Sequence, residues 1–128
     1  MALNQALKYK NIPNHLRIKN FDSSFLHHEV TKLVLMTLLK RNNPKAEVFS
    51  EYQLPNGDFP DVAIVYPNGD LCLFEVQKEI CNSWEKMIKK RDAELTLEIN
   101  QSIDTIIIPL KLMPENIYEL ESKLKEFI

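Results

Sequence analysis

The feature that most constrains this chain is a pair of apolar runs, Phe59 to Tyr66 and Leu71 to Gln77, joined by Pro67-Asn68-Gly69-Asp70. Short apolar and β-branched runs bounded by turn residues read as strands, and so brief a connection containing Asn-Gly reads as a tight hairpin. The two runs are thus expected to be antiparallel neighbours. Strand alternation sends Leu71, Leu73, Glu75 and Gln77 to one face and Cys72, Phe74 and Val76 to the other. Glu75 therefore follows two leucines onto a face that a helix should cover. A carboxylate taken from water is costly unless it is paired or bound to metal, which makes Glu75 a functional candidate.

Asp61 opens the first run after Pro60, fourteen residues before Glu75. The hairpin brings both acids to neighbouring strands near one end. Two carboxylates so placed can share one hard cation, because magnesium prefers oxygen ligands and keeps several waters. Aspartate after proline is common in turns, so the pair rather than Asp61 alone carries the signal.

Other elements follow from periodicity. Between Phe21 and Asn43, Leu26, Val30, Leu33, Val34, Thr37 and Leu38 recur at helical spacing, with Asp22 or Ser23 placed to cap. Ala46 to Gln53 reads as a strand, and Leu54 to Asp58 as a turn in which Gly57 takes a positive φ. After Ile80, a stripe of Trp84, Met87, Ile88, Arg91 and Leu95 marks a second helix. Ser102 to Leu110 is then an isoleucine-rich strand, parallel to Leu71–Gln77 because a helix separates them. Pro114 suits the first turn of a last helix that docks through Ile117, Leu120, Leu124 and Phe127. The predicted order is α-β-β-β-α-β-α, an α/β fold with a mixed central sheet flanked by helices and a C-terminal helix.

With 128 residues, the chain falls in the single-domain range of about 100 to 200. We read residues 1–20 as a basic N-terminal arm and 21–128 as the domain. No apolar run approaches the roughly 18 residues of a membrane span, and MALNQALKYK has no secretory character. A cytoplasmic setting and no membrane partner are expected. Cys72 and Cys81 lie nine apart with no CxxC pair, against a zinc site or a disulfide framework, and Cys72 is expected in the core. A net charge of −2 argues mildly against a nucleic-acid partner. Its distribution argues the other way: Lys8, Lys10, Arg17 and Lys19 stand in a stretch with no acid, and Lys86, Lys89, Lys90 and Arg91 cluster after the hairpin.

In element order and in the stretch FPDVAIVYPNGDLCLFEVQK the chain resembles the PD-(D/E)XK nuclease superfamily, which has a restriction-endonuclease-like core; the likeness covers about residues 22–110. That resemblance implies a divalent-metal-dependent endonuclease hydrolysing DNA, with Mg2+ or Mn2+ held by Asp61 and Glu75, and Glu75 also helping to activate water. Glu29 matches an acid that many members carry on the first helix. The family's lysine position holds Gln77, as in an ExQ variant, whose amide can orient a water or phosphate oxygen without supplying charge. The catalytic set is then Glu29, Asp61, Glu75 and Gln77. DNA contacts fall to Lys8, Lys10, Arg17, Lys19, Lys78, Lys86, Lys89, Lys90 and Arg91, with Lys78 turned to the other face unless the strand ends there. His27 and His28 offer an acid, a base or a DNA contact. A homodimer is expected, since one site per chain must act on two strands. Two alternatives stand: a catalytically silent, nuclease-like DNA-binding or accessory protein, and an interaction protein that docks a partner through its last helix.

Overall fold

The computed structural model describes residues 23–128, in the order α1 (Ser23–Asn42), β1 (Glu47–Ser50), β2 (Val62–Val65), β3 (Leu71–Gln77), α2 (Asn82–Ile99), β4 (Ile103–Pro109) and α3 (Ile117–Leu124). Short 3-10 turns follow β4 and α3. This is the predicted α-β-β-β-α-β-α order. The expected arm with Lys8, Lys10, Arg17 and Lys19 lies outside the described residues, as does Asp22.

One four-stranded mixed sheet runs β1-β2-β3-β4. β1 and β2 are antiparallel, β2 and β3 are antiparallel with Val62 opposite Phe74, and β3 and β4 are parallel with Glu75 beside Ile107. The β2–β3 turn closes through Tyr66 N–H to Asp70 O (2.9 Å) and Gly69 N–H to Tyr66 O (2.8 Å). Gly69 sits at φ +92°, a backbone conformation that requires glycine here, whereas the only close approach to a Cβ there would be the movable end of the Gln101 side chain. Gly57 likewise takes a positive φ in its turn.

Alternation in β2 and β3 builds two cores. On one face Val62, Ile64, Phe74 and Val76 pack with Leu35, Leu38 and Leu39 of α1 and Leu120 and Leu124 of α3. On the other, Ala63, Leu71 and Leu73 pack with Leu95 of α2, Ile103 and Leu54. Helices therefore cover both faces, and Glu75 lies on the face covered by α2. Cys72 is only partly buried, at the margin of the first core.

Several boundaries and faces differ from expectation. β1 is shorter than Ala46–Gln53: Ser50 is its last residue, and Glu51 turns to φ +55°. β2 begins at Val62 rather than Phe59, because Pro60 has no N–H for the ladder. In α1 the buried face is Thr31, Lys32, Leu35, Leu38 and Leu39, whereas the predicted Leu33 and Leu26 are 65% and 47% exposed. Apolar residues surround this helix, so the sheet and α3 choose the face. Thr31 is buried without penalty because its hydroxyl donates to His27 O at 2.8 Å. Met87 is exposed, and the inner stripe of α2 is Ile88, Arg91, Asp92 and Leu95. Pro114 precedes α3, which is capped instead by Asn116, whose side-chain oxygen accepts from Tyr118 and Glu119 N–H. Ile117 is exposed. No helix among the described residues is long and apolar enough to cross a membrane.

Candidate active site

The β2–β3 ladder ends at Val62–Phe74, and its register, continued by one residue, sets Asp61 opposite Glu75. Pro60 cannot extend the pairing, and the Asp61 side chain takes over. Its Oδ2 accepts the Val76 N–H at 2.7 Å, a short charge-assisted bond that satisfies a backbone donor just past the end of the ladder. The other oxygen, Oδ1, has no hydrogen-bond partner among the described residues. Asp61 is thus both a strand cap and an acid with one oxygen to spare.

His28 of α1 reaches the same point. Its Nε2 lies 3.1 Å from Val76 O and 3.6 Å from Asp61 Oδ2, while Nδ1 lies 3.3 Å from Glu29 Oε1. The nearby Asp61 carboxylate raises the His28 pKa against the opposing effect of burial, and Glu29 adds to it. Both ring nitrogens are occupied.

Glu75 is 8% exposed. Burial first, and then the charge of Asp61, push its carboxyl up to about 7; Arg91 and the Asp61 backbone N–H pull it down, and Asp58 pushes it up. The nearest cation, Arg91, has NH1 3.9 Å from Glu75 Oε1, too far for a hydrogen bond. Its guanidinium is committed elsewhere: Nε and NH2 donate to Asp92 Oδ1 at 3.1 Å, NH2 to Thr105 at 3.0 Å and NH1 to Asp58 at 3.4 Å. Thr105 in turn donates to Asp92 Oδ2 at 2.6 Å.

Arg91 stands apart from the lysines with which it is expected to contact DNA. It is 9% exposed and points inward into a buried ionic network, while Lys86, Lys89 and Lys90 are exposed. Gln77, half-buried, is the last residue of β3. Because the strand ends there, Lys78 lies in an exposed bend. Glu29 stands at the α1 edge of the site, with Lys32 Nζ 3.8 Å from its Oε1.

An open cleft of about 470 Å³ lies beside Asp61, walled by His28, Glu29 and Lys32 of α1 and by Glu51, Phe59 and Pro60 of the β1–β2 connection. Glu75 is not among its walls and approaches Asp61 from the α2 side. Sequence reasoning missed Lys32, Asp58, Asp92 and Thr105, and gave His28 no specific role. Their roles arise between elements distant in sequence, and only the polar residues Arg91 and Asp92 inside a helical stripe offered a local signal.

Among the described residues, no three His, Cys, Asp or Glu side chains stand close enough to hold a metal ion by themselves. Two carboxylates completed by waters are nonetheless the usual protein share of a magnesium site. Asp61 offers a spare oxygen, and the buried Glu75 has as counter-charge only Arg91, 3.9 Å away and hydrogen-bonded to other groups. The donor set fits a hard cation.

No family model and no curated protein matches the chain. Among solved structures, a repair endonuclease from Pyrococcus abyssi is similar at a TM-score of 0.42 and 17% identity, over 83% of this chain and 46% of that one. The chain spans less than half of that protein, and so distant a likeness carries no weight for fold or function.

Proposed function

We propose that this protein is a metal-dependent nuclease of the PD-(D/E)XK type, hydrolysing DNA phosphodiester bonds as an endonuclease, with Asp61 and Glu75 holding Mg2+ or Mn2+. The observation that carries the reading is the convergence of these two acids at the end of the β2–β3 hairpin, where burial and Asp61 lift the Glu75 carboxyl to about 7. A buried acid whose distant Arg91 partner does not offset burial and a neighbouring carboxylate is poised for a cation.

When bound, the ion supplies a water of lowered pKa and neutralises charge growing on the phosphoryl oxygens. The remaining work belongs to the chain. Asp61 Oδ2 is fixed by the Val76 N–H and lies near His28, which leaves Oδ1, without a hydrogen bond among the described residues, available to the ion. Glu75 in its ionised form would be the second ligand and a base for the attacking water. The Gln77 amide orients that water or a phosphate oxygen, and Glu29 holds the His28 ring. Lys78, Lys86, Lys89 and Lys90 track the DNA backbone, joined by Lys8, Lys10, Arg17 and Lys19 of the arm. Two such chains form a dimer that acts on both strands, in the cytoplasm.

Gln77 in place of a lysine favours a second reading, a nuclease-like DNA-binding or accessory protein without turnover. Incubating purified protein with linear, nicked, flap and four-way DNA, with and without manganese, separates the two. Metal-dependent cleavage supports the enzyme; DNA binding without cleavage supports the silent module.

A further inference from the structure

Two lysine or arginine side chains near Asp61 and Glu75 are buried, and they differ in what they have left to give. Every nitrogen of Arg91 donates to Asp92, Asp58 or Thr105. Lys32 is equally buried, at 9% exposure, yet makes no hydrogen bond among the described residues; its nearest acid is Glu29 Oε1, 3.8 Å away. An ammonium has three donors; among the described residues no buried side-chain nitrogen lacks a partner, so the Lys32 ammonium meets the solvent of the cleft, where oxygens of a ligand can take the donors that the protein does not. Lys32 is also a wall of the cleft beside Asp61.

The same cleft is lined by Phe59, 58% exposed and two residues before Asp61. A lone exposed aromatic needs no explanation by itself. Sharing with Lys32, whose ammonium makes only the long ion pair with Glu29 among the described residues, a cleft of about 470 Å³, within the roughly 300–1,000 Å³ of small-ligand sites, it completes a set that suits one nucleotide. The other walls limit what enters. Glu29, Glu51 and Asp61 repel a row of phosphates, whereas a single phosphate can sit against Lys32.

We infer that this cleft binds one unpaired nucleotide, its phosphate on Lys32 and its base stacked on Phe59. This deepens the nuclease reading and rests on it: the substrate class becomes DNA with a single-stranded end, flap or gap. Bases inside a duplex are already stacked on both faces and cannot reach Phe59, while an unpaired base stacks readily on an aromatic ring.

The test is binding in chelator, so that it does not depend on cleavage. A fluorescein-labelled oligo-dT strand, alone or annealed to oligo-dA, is titrated with wild type, Phe59→Ala and Lys32→Met while anisotropy is read. Phe59→Ala should weaken single-strand binding about tenfold and leave duplex binding unchanged. Lys32→Met should lower the slope of log affinity against log salt by about 0.7 on the single strand, the share of one phosphate contact. Should Lys32→Met fail to fold by circular dichroism, Lys32→Gln replaces it, and Phe59→Ala is decisive in either case. Unchanged single-strand affinity in Phe59→Ala, an equal loss on duplex, or no oligonucleotide binding by wild type would overturn the proposal. Failure of the nuclease reading shows up differently, as wild type that binds the strand but cleaves nothing with manganese.

Discussion

Glu75 and His28 set how the folded chain responds to pH. Glu75 has a folded pKa of about 7 against an ordinary 4.5, so the folded state holds its proton more tightly than the unfolded state. Its stabilising effect is complete below about 4.5 and is lost as pH rises to about 7. His28, raised above 6.5, acts in the same direction: its contribution is full below 6.5 and is lost as pH rises through its folded pKa. Glu75→Gln mimics the protonated acid and should stabilise the metal-free protein above pH 7 by on the order of 2–3 kcal/mol, with no gain near pH 4.5. Thermal melts across that range in chelator check this; an equal effect at both ends would show that Glu75 is not held short of positive charge. Gln77 offers a second test at this scale. Gln77→Ala should cost roughly 10- to 1000-fold in turnover, as loss of one positioned hydrogen-bonding group does, while metal binding persists. Cleavage untouched by that change would place Gln77 outside the reaction.

Helix α2 holds its cations in two settings, exposed and buried. Lys86, Lys89 and Lys90 are exposed, and each one changed to alanine should reduce the duplex-DNA salt slope by about 0.9 with little effect on melting temperature. Arg91→Ala should do the reverse. Removing it leaves Asp92, Asp58 and Glu75 without their cation, a loss of about 3–5 kcal/mol visible in denaturant unfolding. A salt-slope change for Arg91→Ala in a stably folded protein would contradict its inward placement. The strands around this helix were legible in the sequence, because a period of two and the Pro-Asn-Gly-Asp turn leave little choice of register; β3 falls on Leu71–Gln77 as predicted. Helix faces were less legible. α1 is apolar nearly all round, so Leu33 looked as well placed for the core as Leu35, and packing on β2, β3 and α3 made the selection. Likewise, Arg91 in an apolar stripe reads as a misplaced surface cation until Asp92 and Thr105 are seen beside it.

Across the whole molecule, the hairpin fixes Asp61 and Glu75, and helices on opposite faces of the sheet complete their surroundings: His28, Glu29 and Lys32 from α1, Arg91 and Asp92 from α2. The acid pair could be read from sequence because a short hairpin makes neighbours of residues fourteen apart. The cleft could not, since Lys32 and Phe59 meet only through the packing of α1 on the sheet. Basic residues of the arm belong to this scale too. Removing residues 1–20 should lower duplex affinity and flatten its salt dependence by up to four contacts at about 0.9 each, and an unchanged slope would show that the arm does not touch DNA. The central claim is that Asp61 and Glu75 jointly hold a catalytic cation, and calorimetric titration of Mn2+ into wild type, Asp61→Ala and Glu75→Ala, run beside cleavage of labelled DNA, tests it most directly. Wild type should bind manganese and cleave, and both variants should lose both properties while keeping DNA affinity; manganese-dependent cleavage by Asp61→Ala at the wild-type rate would rule out Asp61 as a ligand of the catalytic ion.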